Sequence, residues 1–173
     1  FTFHICQLRP ESRGRIGLRS ANPLDDPAIT ANYLSTEEDR RALREGVKMM
    51  REVAKQPALQ PYVSGEFTPG PAVQTDAEID AWIRQTAETI YHPVGTCRMG
   101  AAGDPMAVVD ADCRVLGLEG LRVVDASVMP TLVGGNTNAP TLMIAEKISD
   151  SIRGRPFLPA DDAPVYSDSA QAA

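Results

Sequence analysis

One stretch constrains the fold more than any other: LRVVDASVMPTLVGGNTNAPTLMIAEK, residues 121–147. It opens with a buried-strand pattern at 121–124 and passes through a small-residue turn at Asp125, Ala126 and Ser127. A loop with the paired glycines Gly134 and Gly135 follows, and then a helix. Asn136 and Asn138 can each cap that helix, Pro140 suits its first turn, and no helix breaker comes before Gly154. Leu142, Ala145, Ile148 and Ile152 recur at about helical spacing, which predicts one buried face. A helix opening behind a Gly-Gly-Asn loop aims unpaired N–H groups and the positive end of its dipole at the loop's mouth. That mouth suits an anionic or electron-rich group. It also suits a plain structural junction, so the remaining sequence has to decide.

Upstream, residues 1–20 alternate well enough for two strands, 1–8 and 15–19, turned at PESRG into a hairpin. Residues 21–34 carry two prolines with Asn and Asp and read as a loop. Ser35 with Glu38 three residues later is a capping-box signature for an amphipathic helix ending before Pro57. Its apolar face holds Leu43, Val47, Met50 and Ala54; its basic face reads as solvated surface. Residues 56–74 form a Pro- and Gly-rich loop. Thr75 and Glu78 give a second capping box, and Ile79, Trp82, Ile83, Ala87 and Ile90 set one face of a second helix against the core. Residues 107–109 read as strand, and 110–120 as a hairpin-like piece. After Arg153 periodicity fades, which predicts an extended or disordered tail at 156–173.

Composition removes several function classes. The 173 residues carry a net charge of −6, against non-specific nucleic-acid binding, which needs a basic face. No apolar run reaches the roughly 20 residues of a membrane span. Nothing resembles a signal peptide, and a start at Phe1 in mid-pattern suggests a piece of a longer polypeptide. Cys6, Cys97 and Cys113 lack metal-ligand spacing; an odd, scattered set argues against structural disulfides and favours a reducing compartment, the cytoplasm. No clustered ligands suggest a metal, and no G-x-S-x-G elbow suggests a hydrolase triad.

Two histidines remain. His4 lies in an alternating pattern and reads as structural. His92 sits in HPVGT, where Pro93 biases Tyr91 and His92 towards extended backbone and Gly95 permits close approach. On spacing alone, functional and structural readings of His92 weigh equally. Asn138 and Asp125 have bland readings too, as a cap and a strand-end turn.

Three segments break the tie: YHPVGTCRMG (91–100), VVDASVMPTLVGGNTNAPT (123–141) and MIAEKISDSI (143–152). They resemble the carboxy-terminal region of the glucose–methanol–choline (GMC) oxidoreductases, most closely the choline and alcohol dehydrogenase branch. LRPESRGRIGLRSANPLDDPAI (8–29) is similar to the start of that family's substrate-side sheet. The likeness runs from Phe1 to about Gly154.

The resemblance implies an α+β substrate-domain portion, with an antiparallel sheet and helices over residues 1–90. A catalytic and flavin-facing segment at 91–155 then returns to an α/β FAD-binding domain. It implies that FAD takes a hydride from an alcohol, choline-like or another primary alcohol, giving an aldehyde or ketone. His92 matches the residue that manages the hydroxyl proton, and Asn136 the partner that holds the alcohol oxygen. Asp125, Ala126, Thr137 and Asn138 match positions beside the flavin. An imidazole with an unperturbed pKa of about 6.5 suits the first role, and a neutral amide suits the second.

The family's amino-terminal G-x-G-x-x-G loop is absent from this sequence. The implied partners are therefore the alcohol and an amino-terminal FAD-binding portion of the same enzyme, with this chain inactive alone and no electron acceptor specified. No aromatic cage for a quaternary ammonium is evident among 4 Phe, 4 Tyr and 1 Trp. An orphan folding or interaction module without flavin is the contrasting reading.

Overall fold

The computed structural model describes residues 1–159 and 161–163. Among them lie a two-stranded antiparallel pair and three α-helices, a small α+β arrangement. Strand β1 (Arg15–Gly17) pairs with β2 (Ala28–Thr30) in the register Arg15 to Thr30, Ile16 to Ile29 and Gly17 to Ala28. This corrects the expected hairpin between 1–8 and 15–19. Residues 1–8 form no strand, and β2 lies in the segment read as loop. Local bonding closes the turn between the strands: Ser20 Oγ donates to Asp25 Oδ2, Asn22 Nδ2 donates to Asp25 Oδ1, and Leu24 N–H donates to Asn22 Oδ1. Such Asx-type bonds make the 20–25 turn self-supporting, so β1 meets the chain that follows it.

Helix α1 (Glu37–Ala54) is capped by Thr36, whose hydroxyl accepts from the Asp39 N–H at 3.3 Å. The Ser35–Glu38 box does not form. The Ser35 amide is drawn to Ser12 Oγ at 2.9 Å, and Glu38 pairs with Arg41 instead. Glu37, Glu38 and Asp39 in the first turn complement the helix dipole. Asp39 is 3% exposed and accepts the amides of Glu11 and Ser12 at 2.9 and 2.8 Å, clasping the segment ahead of β1 to the start of α1.

Helix α2 (Asp76–Thr86) has the expected capping box, with Thr75 and Glu78 bonded reciprocally. It stops at Thr86, so Ala87 caps its end and Ile90 is exposed rather than part of the buried face. Val47 of α1 meets Ile79 and Ile83 of α2 in one core, flanked by Ile5, Leu34, Leu43, Val73 and Trp82. Burying each of the three central side chains contributes roughly 2 kcal/mol. Gly46 lets Ile5 reach α1, because a Cβ there would collide with Ile5 Cγ2. The basic face of α1 is more than solvated surface. Arg44 bridges to Asp80 at 2.6 Å and Glu37 at 3.0 Å, and Lys48 to Asp76 at 2.8 Å, so charged pairs strap α1 to α2.

The second core joins Val109, Cys113, Val128 and Ile148, with Met99, Val108, Val115, Val123, Val124 and Ile144 around them. Where strands were expected at 107–109 and 121–124, single bridges appear: Met99 with Val109, Val109 with Val115, and Arg114 with Arg122. Left-handed backbone at Cys113 and Gly117 keeps turning the chain, so no ladder lengthens.

Helix α3 (Asn138–Ile152) covers this core. Ile148 is buried and Ile144 half-buried, whereas Leu142 and Ile152 are exposed, so the buried face is rotated from the expected one. Gly154, at φ +64°, ends α3: its N–H bonds to Ser151 O, and Arg155 N–H to Asp150 O. The expected tail shows no helix or strand at 156–159; Ala160 and residues 164–173 lie outside the described residues.

Candidate functional site

Two segments far apart in sequence are laced together. Cys97 N–H donates to Ser127 O at 3.1 Å and Met99 N–H to Val128 O at 2.8 Å. The run carrying His92 is thereby fixed beside the turn carrying Asp125 and Ala126. Its entry is bent: Tyr91 has φ +60° and Gly95 φ +86° on either side of the His92–Pro93 step. This corrects the extended backbone expected at Tyr91, since only the residue directly before a proline is kept from helical backbone by its ring. A non-glycine residue with left-handed backbone next to a candidate catalytic residue is a position held by its surroundings. The Tyr91 N–H is held by Thr89 Oγ1 at 3.0 Å. At Gly95 a Cβ would stand 3.4 Å from Met129 O, so the loop passes close to the second segment there.

Asp125 shapes its own turn. Its carboxylate accepts the Ser127 N–H at 2.8 Å and the Ser127 hydroxyl, which opens the 3₁₀ turn Ala126–Val128. Val128 and Met129 then enter the core at 1% and 4% exposure. The chain emerges through a glycine loop in which Gly135 N–H bonds back to Val133 O at 2.8 Å. Asn136 is exposed, Thr137 is buried and Asn138 is exposed.

Neither asparagine caps α3. Thr137 occupies the cap position without a side-chain bond, and Asn138 is the first helical residue. Thr137 acts through its carbonyl, which accepts the Thr141 N–H at 3.1 Å and the Thr141 hydroxyl at 2.7 Å. The first turn of α3 keeps its N–H groups without a side-chain cap, the condition under which a helix start favours an electron-rich neighbour. Among the described residues, no side-chain hydrogen bond occupies His92, Asn136 or Asn138. Those side chains are free to bond something else.

Sequence reasoning missed Arg9, whose guanidinium lies against Gly134 in the loop before Asn136. No periodicity or motif links positions 9 and 134. Among the described residues no group of three or more His, Cys, Asp or Glu could hold a metal ion, and no helix is long and apolar enough to cross a membrane.

The family model described as "GMC oxidoreductase" matches residues 10–145, most of the chain and every candidate site residue. The chain belongs to the GMC oxidoreductase family. Among curated relatives, an oxygen-dependent choline dehydrogenase of Stenotrophomonas maltophilia (strain K279a) is 54% identical over 166 residues, covering 96% of this chain and 30% of that protein. One from Acinetobacter baumannii (strain AYE) is 53% identical over the same length. The chain thus spans 30% of the length of these relatives.

Among solved GMC-like structures, pyridoxine 4-oxidase from Mesorbium loti superposes with a TM-score of 0.79 at 36% identity, over 87% of this chain and 29% of that one. A fungal aryl-alcohol oxidase gives 0.73 at 33%, over 84% and 24%.

Proposed function

We propose that this chain is the carboxy-terminal part of an FAD-dependent oxidoreductase that removes a hydride from an alcohol, leaving an aldehyde or ketone. The observation that carries the reading is the lacing of the His92 run to the Asp125–Val128 turn, with unengaged polar side chains at His92 and Asn136. Family membership supplies the chemistry to which that arrangement is suited.

The residues present fit a flat cofactor. Nothing stands within 4 Å of where a Cβ would sit on Gly135, Ala126 is small, and the first turn of α3 has no side-chain cap. Asp125, Ala126, Thr137 and Asn138 would lie along it, Thr137 by backbone, since its side chain is buried. FAD, when bound, supplies the hydride acceptor.

The chain's own residues prepare the alcohol. His92 takes the hydroxyl proton, raising the alkoxide character that makes loss of the neighbouring C–H hydride easier. The Asn136 amide donates to the alcohol oxygen without competing for the proton. The uncapped start of α3 favours negative charge building nearby.

The two cores, one built on α1 and α2 and one beneath α3, support dividing the chain into a substrate-side portion at 1–90 and a flavin-facing segment at 91–155. The latter would return to an α/β FAD-binding domain supplied by the rest of the enzyme. Free Cys6, Cys97 and Cys113 support a reducing, cytoplasmic setting. Choline is the first substrate to try, because relatives bearing that name share about half of these residues.

The test is a visible spectrum of the intact protein, followed by anaerobic titration with choline and with aliphatic and aromatic primary alcohols. A flavin spectrum bleached by one of them is the expected result. A colourless protein that binds no FAD would instead favour an interaction module.

A further inference from the structure

Arg9 stands out because it touches the loop carrying Asn136 from a different part of the fold. A Cβ on Gly134 would stand 3.1 Å from Arg9 Nη2, 3.6 Å from Cζ and 3.8 Å from Nε. Three atoms of the guanidinium plane therefore face the glycine together, so the group lies across the loop rather than pointing past it. Among the described residues that guanidinium has no hydrogen bond or ion pair. Its placement is set by the backbone that bears it. The Arg9 N–H reaches Gln7 Oε1, Pro10 O accepts from Arg13 Nη1 at 2.7 Å, and the next two amides are held by the buried Asp39 carboxylate. A rigid stem thus leads from the start of α1 to the Gly134 loop, two residues before Asn136.

We infer that Arg9 is a positioning residue: its flat guanidinium, seated on Gly134, holds the glycine loop so that Asn136 meets the alcohol oxygen. The inference rests on the proposed alcohol-oxidising role for what Asn136 does, but not for the contact itself. Two requirements follow. Position 134 must leave room for the guanidinium, since a Cβ there would stand 3.1 Å from Nη2 and oblige it to give by a few tenths of an ångström. Position 9 must be planar as well as cationic, a demand that lysine does not meet.

The experiment uses the intact flavoenzyme and four variants: Arg9→Ala, Arg9→Lys, Gly134→Ala and the Arg9→Ala/Gly134→Ala double. Amide hydrogen exchange at Val133, Gly135 and Asn136 reports the loop directly. Anaerobic flavin reduction and steady-state kinetics report the chemistry. Each single variant is expected to speed loop exchange and to slow flavin reduction by about fivefold to tenfold, with KM rising as kcat falls. The double variant is expected to be no worse than either alanine single, since both remove one contact.

Additive defects, full rescue by lysine, or unchanged loop exchange would each overturn the role of Arg9. A wild-type enzyme whose flavin no alcohol reduces would instead overturn the functional reading, while the exchange data still decide the contact.

Discussion

Met99 donates its backbone N–H to the carbonyl oxygen of Val128 at 2.8 Å, and the Val128 side chain is 1% exposed. One residue therefore anchors the run that follows His92 and plugs the core beneath α3. The placement of the run that follows His92 and local stability are coupled at that point. Val128→Ala removes two buried methyl groups where Cys113 and Ile148 close the space, and should cost about 2 kcal/mol. Thermal or denaturant unfolding of the intact protein measures it; an unchanged midpoint would mean that the neighbours collapse into the gap.

His92→Ala should slow flavin reduction by about 10² or more, the usual loss on deleting a general base. Asn136→Ala should weaken both alcohol binding and hydride transfer, because an oxygen left unheld is bound and activated less well. Stopped-flow reduction at several alcohol concentrations separates the two effects. Wild-type rates in either variant would return that residue to a purely structural role.

Asp39 links acidity to folding. Burial disfavours its charged form, but hydrogen bonds from Ser12, Glu11 and Thr36 outweigh that and hold the carboxyl below its usual range. A depressed pKa contributes stability that is fully present above the unfolded value, about 3.9, and is lost as pH falls through the folded value. Asp39→Ala leaves the Glu11 and Ser12 amides without their acceptor and should cost about 2 to 3 kcal/mol at neutral pH. The gap between Asp39→Asn and the parent protein should narrow steadily in unfolding curves taken below about pH 4. A gap independent of pH would show that the carboxylate charge does not matter.

Cys113 is fully buried, and burial, with Asp110 nearby, pushes its thiol up from the usual value. A thiol kept protonated and out of reach is a poor nucleophile. Alkylation under native conditions followed by peptide mapping should leave Cys113 unlabelled until the protein unfolds. Rapid native labelling at Cys113 would contradict the closed packing around Val109 and Val128.

Signals that act within a few residues were legible before any coordinates. The Thr75–Glu78 box, the proline inside the first turn of α3 and the glycine that ends it depend on backbone groups a turn apart, and each forms as read. Where a local signal had a distant competitor, the competitor prevailed. Ser35 lost its capping role to Thr36 because Ser12 accepts the Ser35 amide, and residues 1–8 lost their strand partner because the bonded turn at 20–25 delivers β2 to β1. Of the candidate site, the residue types and their order were plain in two short runs.

Chain-local chemistry, then, sufficed for the existence of the three helices and for the stop of α3 at Gly154, while His92 and Asn136 became candidates through the family resemblance. Only packing in three dimensions decided which face of α3 is buried, that Cys97 and Met99 bond to Ser127 and Val128, and that Arg9 rests on Gly134. The physical reason is range. Caps and turns are made between neighbours in sequence, whereas buried faces and long-range backbone pairs depend on which surfaces the whole chain brings together.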